Sequence, residues 1–166
     1  NHPVMEEWPK RPAVLVLASN YAYRDHVLAV LSGARSRGLW ENDFALIADS
    51  TWPIDQVEDL VSRGVHVLRL PRKPHPAVLK LYMAHAFFLI WKRILYLDTD
   101  TMVMRPLHPL LALEGSAFCV PQRYSAREHY NRADNRLYER ICGLLPAREP
   151  GFNSGIILMG REIFGA

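Results

Sequence analysis

Two acidic side chains, Asp98 and Asp100, flank Thr99 directly after the run Arg93-Ile94-Leu95-Tyr96-Leu97. In an extended chain, residues i and i+2 point to the same side, so both carboxylates can meet one cation. Hard oxygen ligands of this kind suit magnesium or manganese. A cation there can bridge a diphosphate and neutralise its charge as it departs, acting as a Lewis acid. The apolar strand ahead of the pair gives it a rigid seat. Such a triplet also arises by chance as two solvated loop carboxylates. Its position, at the end of a buried strand, is what favours chemistry.

Three further groups could take part. Asn153 and Ser154 precede Gly155 and the apolar run Ile156-Ile157-Leu158-Met159. Their side chains can donate and accept hydrogen bonds, as a sugar hydroxyl requires. They also fit an ordinary turn before a strand. Ser19-Asn20-Tyr21-Ala22-Tyr23 follows the first apolar run. A tyrosine there could stack on a nucleobase while Asn20 bonds its edge, or the segment could be turn chemistry beside a core aromatic. Lys80 stands among Val78, Leu79, Leu81 and Tyr82. It is either a snorkelling surface lysine or a cation facing a phosphate or donor sugar.

The elements that must hold these residues alternate. Residues 13–19 form a continuous apolar run of the kind buried on both faces of a parallel sheet. Residues 25–37 carry apolar positions at helical spacing. Strand patterns recur at 44–48, 65–70 and 93–97, with helical patterns from Ile54 to Gly64 and over 77–88 between them. Alternation of this kind implies right-handed crossovers and a mainly parallel α/β sheet flanked by helices. Such sheets bind ligands beyond the carboxyl ends of their strands. The loops at Asn20, Asp49, Pro71 and Asp98 are therefore the places for a site. Two more strands are expected at 117–120 and 156–159, with a helix over 134–142 between them. Residues 1–12, which include three prolines, read as an extended lead-in to one domain over 13–166.

Composition excludes several classes. Of the 166 residues, 49% are hydrophobic and 22% charged, which is ordinary for a globular chain. No apolar stretch is long enough to cross a bilayer. The net charge of +3 is dispersed rather than gathered into a patch, which disfavours a nucleic-acid reader. The two cysteines, Cys119 and Cys142, make no disulfide framework or zinc motif.

In combination these pieces resemble glycosyltransferase family 8, the glycogenin-like group. The segment VLKLYMAHAFFLIWKRILYLDTDTMVMRPL is similar to that family's donor helix, strand and Asp-x-Asp region; LASNYAY and FNSGIILM are similar to its first and last signatures. The resemblance spans roughly residues 13–160 and implies a GT-A fold, a Rossmann-like nucleotide-binding sheet. It implies transfer of a hexose from a UDP-sugar, with retention at the anomeric carbon and with manganese (or magnesium) as cofactor. Asp98 and Asp100 match the metal-binding acids, with Thr99 in the same donor-contacting triplet. Leu17, Ser19, Asn20 and Tyr23 match the uridine segment, and Tyr23 is the residue that stacks on uracil. Lys80 matches a donor-contacting lysine, and Asn153 and Ser154 match the donor-sugar side. Arg72 and Lys73 fall near a basic donor contact. The implied partners are the UDP-sugar and a glycan or protein acceptor, with a second copy of the chain as a further candidate. The family has cytosolic and Golgi members, and the sequence does not choose between them.

The family's later Asp-Gln pair and His-x-x-Gly-x-x-Lys motif have no counterpart before Ala166. The resemblance therefore implies a domain incomplete at its carboxyl end, lacking its third metal ligand. No residue in the pattern identifies itself as a nucleophile. Two other readings fit the same fold: a non-catalytic nucleotide-sugar-binding module, and a nucleotidyltransferase. The absence of glycine from the segment SNYAYRDH after the first strand, where such enzymes usually carry a Gly-rich, basic loop, argues against the second.

Overall fold

The computed structural model describes residues 11–113, 117–125 and 150–160. Strands form wherever the apolar runs are short and continuous: β1 (Arg11–Ser19), β2 (Asp43–Ala48), β3 (Val65–Arg69) and β4 (Trp91–Leu97). These are joined by β5 (Ala117–Ser125) and β6 (Pro150–Gly160) in a six-stranded sheet of order β3-β2-β1-β4-β6-β5. β1 pairs in parallel with β2 and β4, and β2 with β3. β6 runs antiparallel to both β4 and β5. The α/β fold with a mainly parallel sheet is as expected, and the two later strands add an antiparallel side to it. The helix expected over 134–142 and most of the lead-in lie outside the described residues.

Alternate strand residues face opposite layers, because successive side chains in a strand point to opposite sides. Leu15 and Leu17 of β1, Leu46 of β2 and Leu95 and Leu97 of β4 join one core with Val27, Val30 and Ala34 of α1 (Arg24–Ser36) and Leu60 of α2 (Ile54–Ser62). Val14 and Val16, Ala45 and Ile47, and Ile94 and Tyr96 face the other layer, against Leu79, Met83 and Phe88. Both faces of the central strands are thus covered, which explains why their sequences are continuously apolar. Gly64 closes the α2 region at φ +82°, a conformation that favours glycine.

The helix expected over 77–88 is corrected by the structure. Only α3 (Pro76–Leu79) is α-helical there, followed by 3-10 turns over Lys80–Ala84 and Ala86–Ile90. His85 separates the two turns in an extended conformation. Its N–H donates to the Tyr82 carbonyl at 2.9 Å, and its ring Nδ1 accepts from the Phe87 N–H at 3.1 Å. The break lets Phe88 reach the sheet with Met83 while Phe87 and Phe88 meet the Trp91 ring at 5.8 and 6.0 Å. Packing of the aromatic run overrides helix propensity here. A further short helix, α4 (His108–Leu111), follows the β4 loop. No helix among the described residues is long and apolar enough to cross a membrane.

Candidate functional site

The strand order reverses direction between β1 and β4, so their carboxyl ends splay apart and leave a crevice. Beyond β1 the chain enters a 3-10 turn at Tyr21–Tyr23, capped by Asn20, whose side-chain oxygen accepts from the Ala22 N–H at 3.0 Å. That bond does not use the Asn20 amide nitrogen, which remains a donor group for the crevice. The loop after β2 holds this turn in place. Thr51 Oγ1 accepts from the Tyr21 N–H at 2.9 Å, and the Trp52 indole donates to the Ser19 carbonyl at 3.0 Å. Asp49, 1% exposed, anchors Thr51 by accepting from both its N–H and its hydroxyl. Its other carboxylate oxygen is buried without a partner among the described residues. The Asp49 loop is therefore a scaffold for the β1 loop and does not line the crevice.

Beyond β4 the geometry differs from the simple extended reading. The Thr101 N–H donates to the Asp98 carbonyl at 3.0 Å, so the triplet occupies a turn rather than a pleated strand. Asp98 and Asp100 still border one cavity, brought there by the turn and not by strand alternation. The Asp98 N–H donates to the Gly155 carbonyl at 2.8 Å, which sets the Asn153-Ser154-Gly155 backbone of β6 beside the triplet.

Asp98 is held from two directions. The Tyr96 hydroxyl donates to its Oδ1 at 2.5 Å, and Lys80 Nζ lies 3.5 Å from the same oxygen. Lys80 Nζ also sits 5.4 Å from the centre of the Tyr96 ring. Lys80 reaches this point because its segment covers the face of the sheet to which Tyr96 belongs. With its side chain only 17% exposed, it is no freely solvated lysine. Burial, then the hydrogen bond to Asp98, then the negative charges of Asp98 and Asp100 push the Tyr96 hydroxyl pKa up from its ordinary value. Tyr96 consequently stays protonated and remains a donor.

The resulting cavity, about 290 Å³, is bordered by Ser19, Asn20, Tyr23, Lys80, Tyr96, Asp98, Thr99 and Asp100, with Ala18 and Pro76. Its size approaches the range usual for small-molecule sites. Seven residues singled out in the sequence therefore meet there. Leu17 does not: it is fully buried in the core on the α1 side of β1. Arg72 and Lys73 are exposed and lie outside the lining. Asn153 and Ser154 are on β6, whose backbone flanks Asp98. Tyr96 was missed because it reads as one more apolar strand residue; its spacing two before Asp98 was the available signal. A smaller cavity of about 200 Å³ shares Thr99 and Asp100 and adds His26 and Arg37. The His26 ring lies 5.7 Å from that of Tyr23, which is 48% exposed and offers a face to a planar ligand.

Two carboxylates bordering one cavity suit magnesium or manganese, which are commonly held by one or two carboxylates plus the substrate's own phosphates. No group of three or more His, Cys, Asp or Glu that could hold a metal forms among the described residues. The pair fits a cation that arrives with a phosphate ligand rather than a closed all-protein cage.

No protein-family model matches the sequence. No curated protein matches it either. Solved structures do match. The apo glycosyltransferase GlyE of Streptococcus pneumoniae TIGR4 aligns with a TM-score of 0.60 at 18% identity, over 94% of this chain and 35% of its own. The galactosyltransferase LgtC, in complex with donor and acceptor sugar analogues, aligns at 0.62 and 14%, over 90% of this chain and 58% of its own. The fold is that of GT-A glycosyltransferases. Glucosyl-3-phosphoglycerate synthase of Mycobacterium tuberculosis, in complex with UDP, aligns at 0.51 and 18%, over 92% of this chain and 58% of its own. The chain thus spans about a third to three fifths of the length of these glycosyltransferases.

Proposed function

We propose that this chain is the nucleotide-sugar-binding part of a metal-dependent, retaining hexosyltransferase of glycosyltransferase family 8, using a UDP-sugar donor. One observation carries the reading: Ser19, Asn20, Tyr23, Lys80, Asp98 and Asp100 come from separate loops and border one cavity at the switch point of a GT-A sheet. Similar folds that hold UDP, or donor and acceptor sugar analogues, support the substrate class.

Each side chain has a role in this reading. The exposed Tyr23 ring stacks on the base, and the Asn20 amide donates to its edge or to the ribose. Asp98 and Asp100 would hold the divalent cation, which when bound would supply Lewis-acid charge to a departing diphosphate. Lys80 turns its ammonium to the same phosphates, where preorganised charge lowers the barrier to departure. Asn153 and Ser154, beside Asp98 on β6, bind hydroxyls of the donor sugar. The acceptor, a glycan or protein, approaches from outside the described lining.

Isothermal titration with UDP and a panel of UDP-sugars, with and without manganese, tests the reading. Tight binding of one UDP-sugar only in the presence of the cation is expected. Equal UDP affinity with and without metal would defeat the metal assignment. Titration without turnover by the complete protein would leave a binding module in place of a transferase.

A further inference from the structure

The Asp98 carboxylate is engaged by two groups, and both reach the same oxygen. The Tyr96 hydroxyl donates to Oδ1 at 2.5 Å and Lys80 Nζ stands 3.5 Å from it. Neither contact uses Oδ2. The two holders differ in rigidity. Lys80 ends a long, rotatable side chain on a 3-10 turn, whereas Tyr96 lies within β4 and is 3% exposed. Its neighbours Ile94 and Leu95 pair on both sides of the strand, with β1 and with β6. The Tyr96 ring therefore cannot follow the carboxylate; the carboxylate must follow the ring.

Asp98 itself needs such a holder. It is the first residue beyond β4, where the turn to Thr101 begins; its N–H and carbonyl are bonded to Gly155 and Thr101, but neither bond fixes its side-chain torsions. A carboxylate rotates about two side-chain torsions, and an ion bound by one of its oxygens requires a single setting of both. The ligands of such sites are commonly oriented by a neighbouring hydrogen bond, whose loss weakens metal binding.

We propose that Tyr96 is the positioning residue of this site: its hydroxyl locks Asp98 through Oδ1 so that Oδ2 is presented to the divalent cation and its bound nucleotide. The proposal rests on the UDP-sugar reading above and adds to it a residue that acts through Asp98. Lys80 shares Oδ1 but is released to phosphate without freeing the carboxylate, because Tyr96 still holds it. The device thus separates two tasks that one lysine could not perform together.

Tyr96→Phe keeps the ring and its packing and removes only the hydroxyl. Manganese binding is followed by electron paramagnetic resonance of the free ion, with UDP present, and UDP binding by titration with and without manganese. In Tyr96→Phe, manganese-dependent UDP affinity is expected to fall about tenfold, the usual range for loss of a partner that orients a metal ligand. Metal-independent UDP affinity should fall far less than the metal-dependent affinity, a split that a merely structural role would not give. Thermal melting of the variant confirms that it folds, and Tyr96→Leu serves as the control that loses ring and hydroxyl together. Unaltered or tighter manganese-dependent binding in a folded Tyr96→Phe overturns the positioning role while leaving the UDP-sugar reading intact. Absence of any manganese dependence in the unaltered protein overturns both.

Discussion

Asp98 and Asp100 are alike in sequence but not in surroundings, and their alanine variants should part company. Asp98 is half-buried and accepts from Tyr96 and Lys80, whereas Asp100 is exposed. No hydrogen bond or ion pair among the described residues engages the Asp100 side chain. Asp98→Ala leaves a hydroxyl on a residue 3% exposed without its acceptor, a loss of about 1–3 kcal/mol. It also removes the loose 3.5 Å pairing of Asp98 with Lys80, whose side chain is 17% exposed, which adds up to about 1 kcal/mol. A total near 3 kcal/mol lowers the melting temperature by roughly 10 °C in a chain of this size. Asp100→Ala removes an exposed group and should stay within about 0.5 kcal/mol. If both are metal ligands, as proposed, both variants should lose more than about a hundredfold in manganese-dependent UDP affinity, beyond what a supporting residue costs. Differential scanning fluorimetry and titration on the same preparations give the two numbers. Equal melting temperatures for the two variants, or an Asp100→Ala protein that keeps its metal-dependent binding, would refute the reasoning.

Other consequences are as specific. At the opposite end of the sheet, the Asp43 carboxylate accepts from Arg11 at 2.9 Å and from the Trp91 indole at 2.7 Å. Burial alone would raise its pKa, but these two hydrogen bonds and the charges of Arg11 and His66 outweigh it and hold it below 3.8. A depressed carboxylate stabilises the fold above its unfolded pKa, so this contribution should be present at neutral pH and be lost as pH falls through and below that value. In urea titrations, Asp43→Ala should cost about 2 kcal/mol at pH 7; the share from the orphaned Trp91 N–H persists at low pH, and only the charge-dependent share should shrink as pH falls below 3.8. Tyr23→Ala should weaken UDP binding by roughly 1–3 kcal/mol, the usual range for a base stacked on an aromatic ring, with or without metal; an unaltered affinity would remove Tyr23 from the nucleotide site. Leu39 has φ +50° and is 57% exposed. Leu39→Gly should raise stability by about 1 kcal/mol, because relief of left-handed strain exceeds the entropy that glycine adds to the unfolded chain. A lower urea midpoint would show that the Leu39 side chain contributes packing instead.

Chain chemistry alone carried most of the architecture. Apolar runs such as 13–17 and 94–97 suit strands covered on both faces, and the helical patterns between them implied parallel pairing, as found. That pattern is local, one residue deep, and survives without knowledge of neighbours. It also placed Asn20 and Asp98 at strand ends, where a crevice had to form. What residue spacing could not supply was the third dimension of the site. The broken helix at His85 depends on aromatic rings meeting Trp91, and this same segment carries Lys80 to Asp98. Leu17 lies one position from the cavity-lining Ala18 yet faces the opposite layer, because side-chain direction along a strand acquires meaning only once helices choose their faces. Tyr96 looked like core and is core; only contact with a carboxylate beyond the end of its strand makes its hydroxyl matter. Periodicity is a property of the chain, whereas the convergence of charge from distant loops is a property of packing.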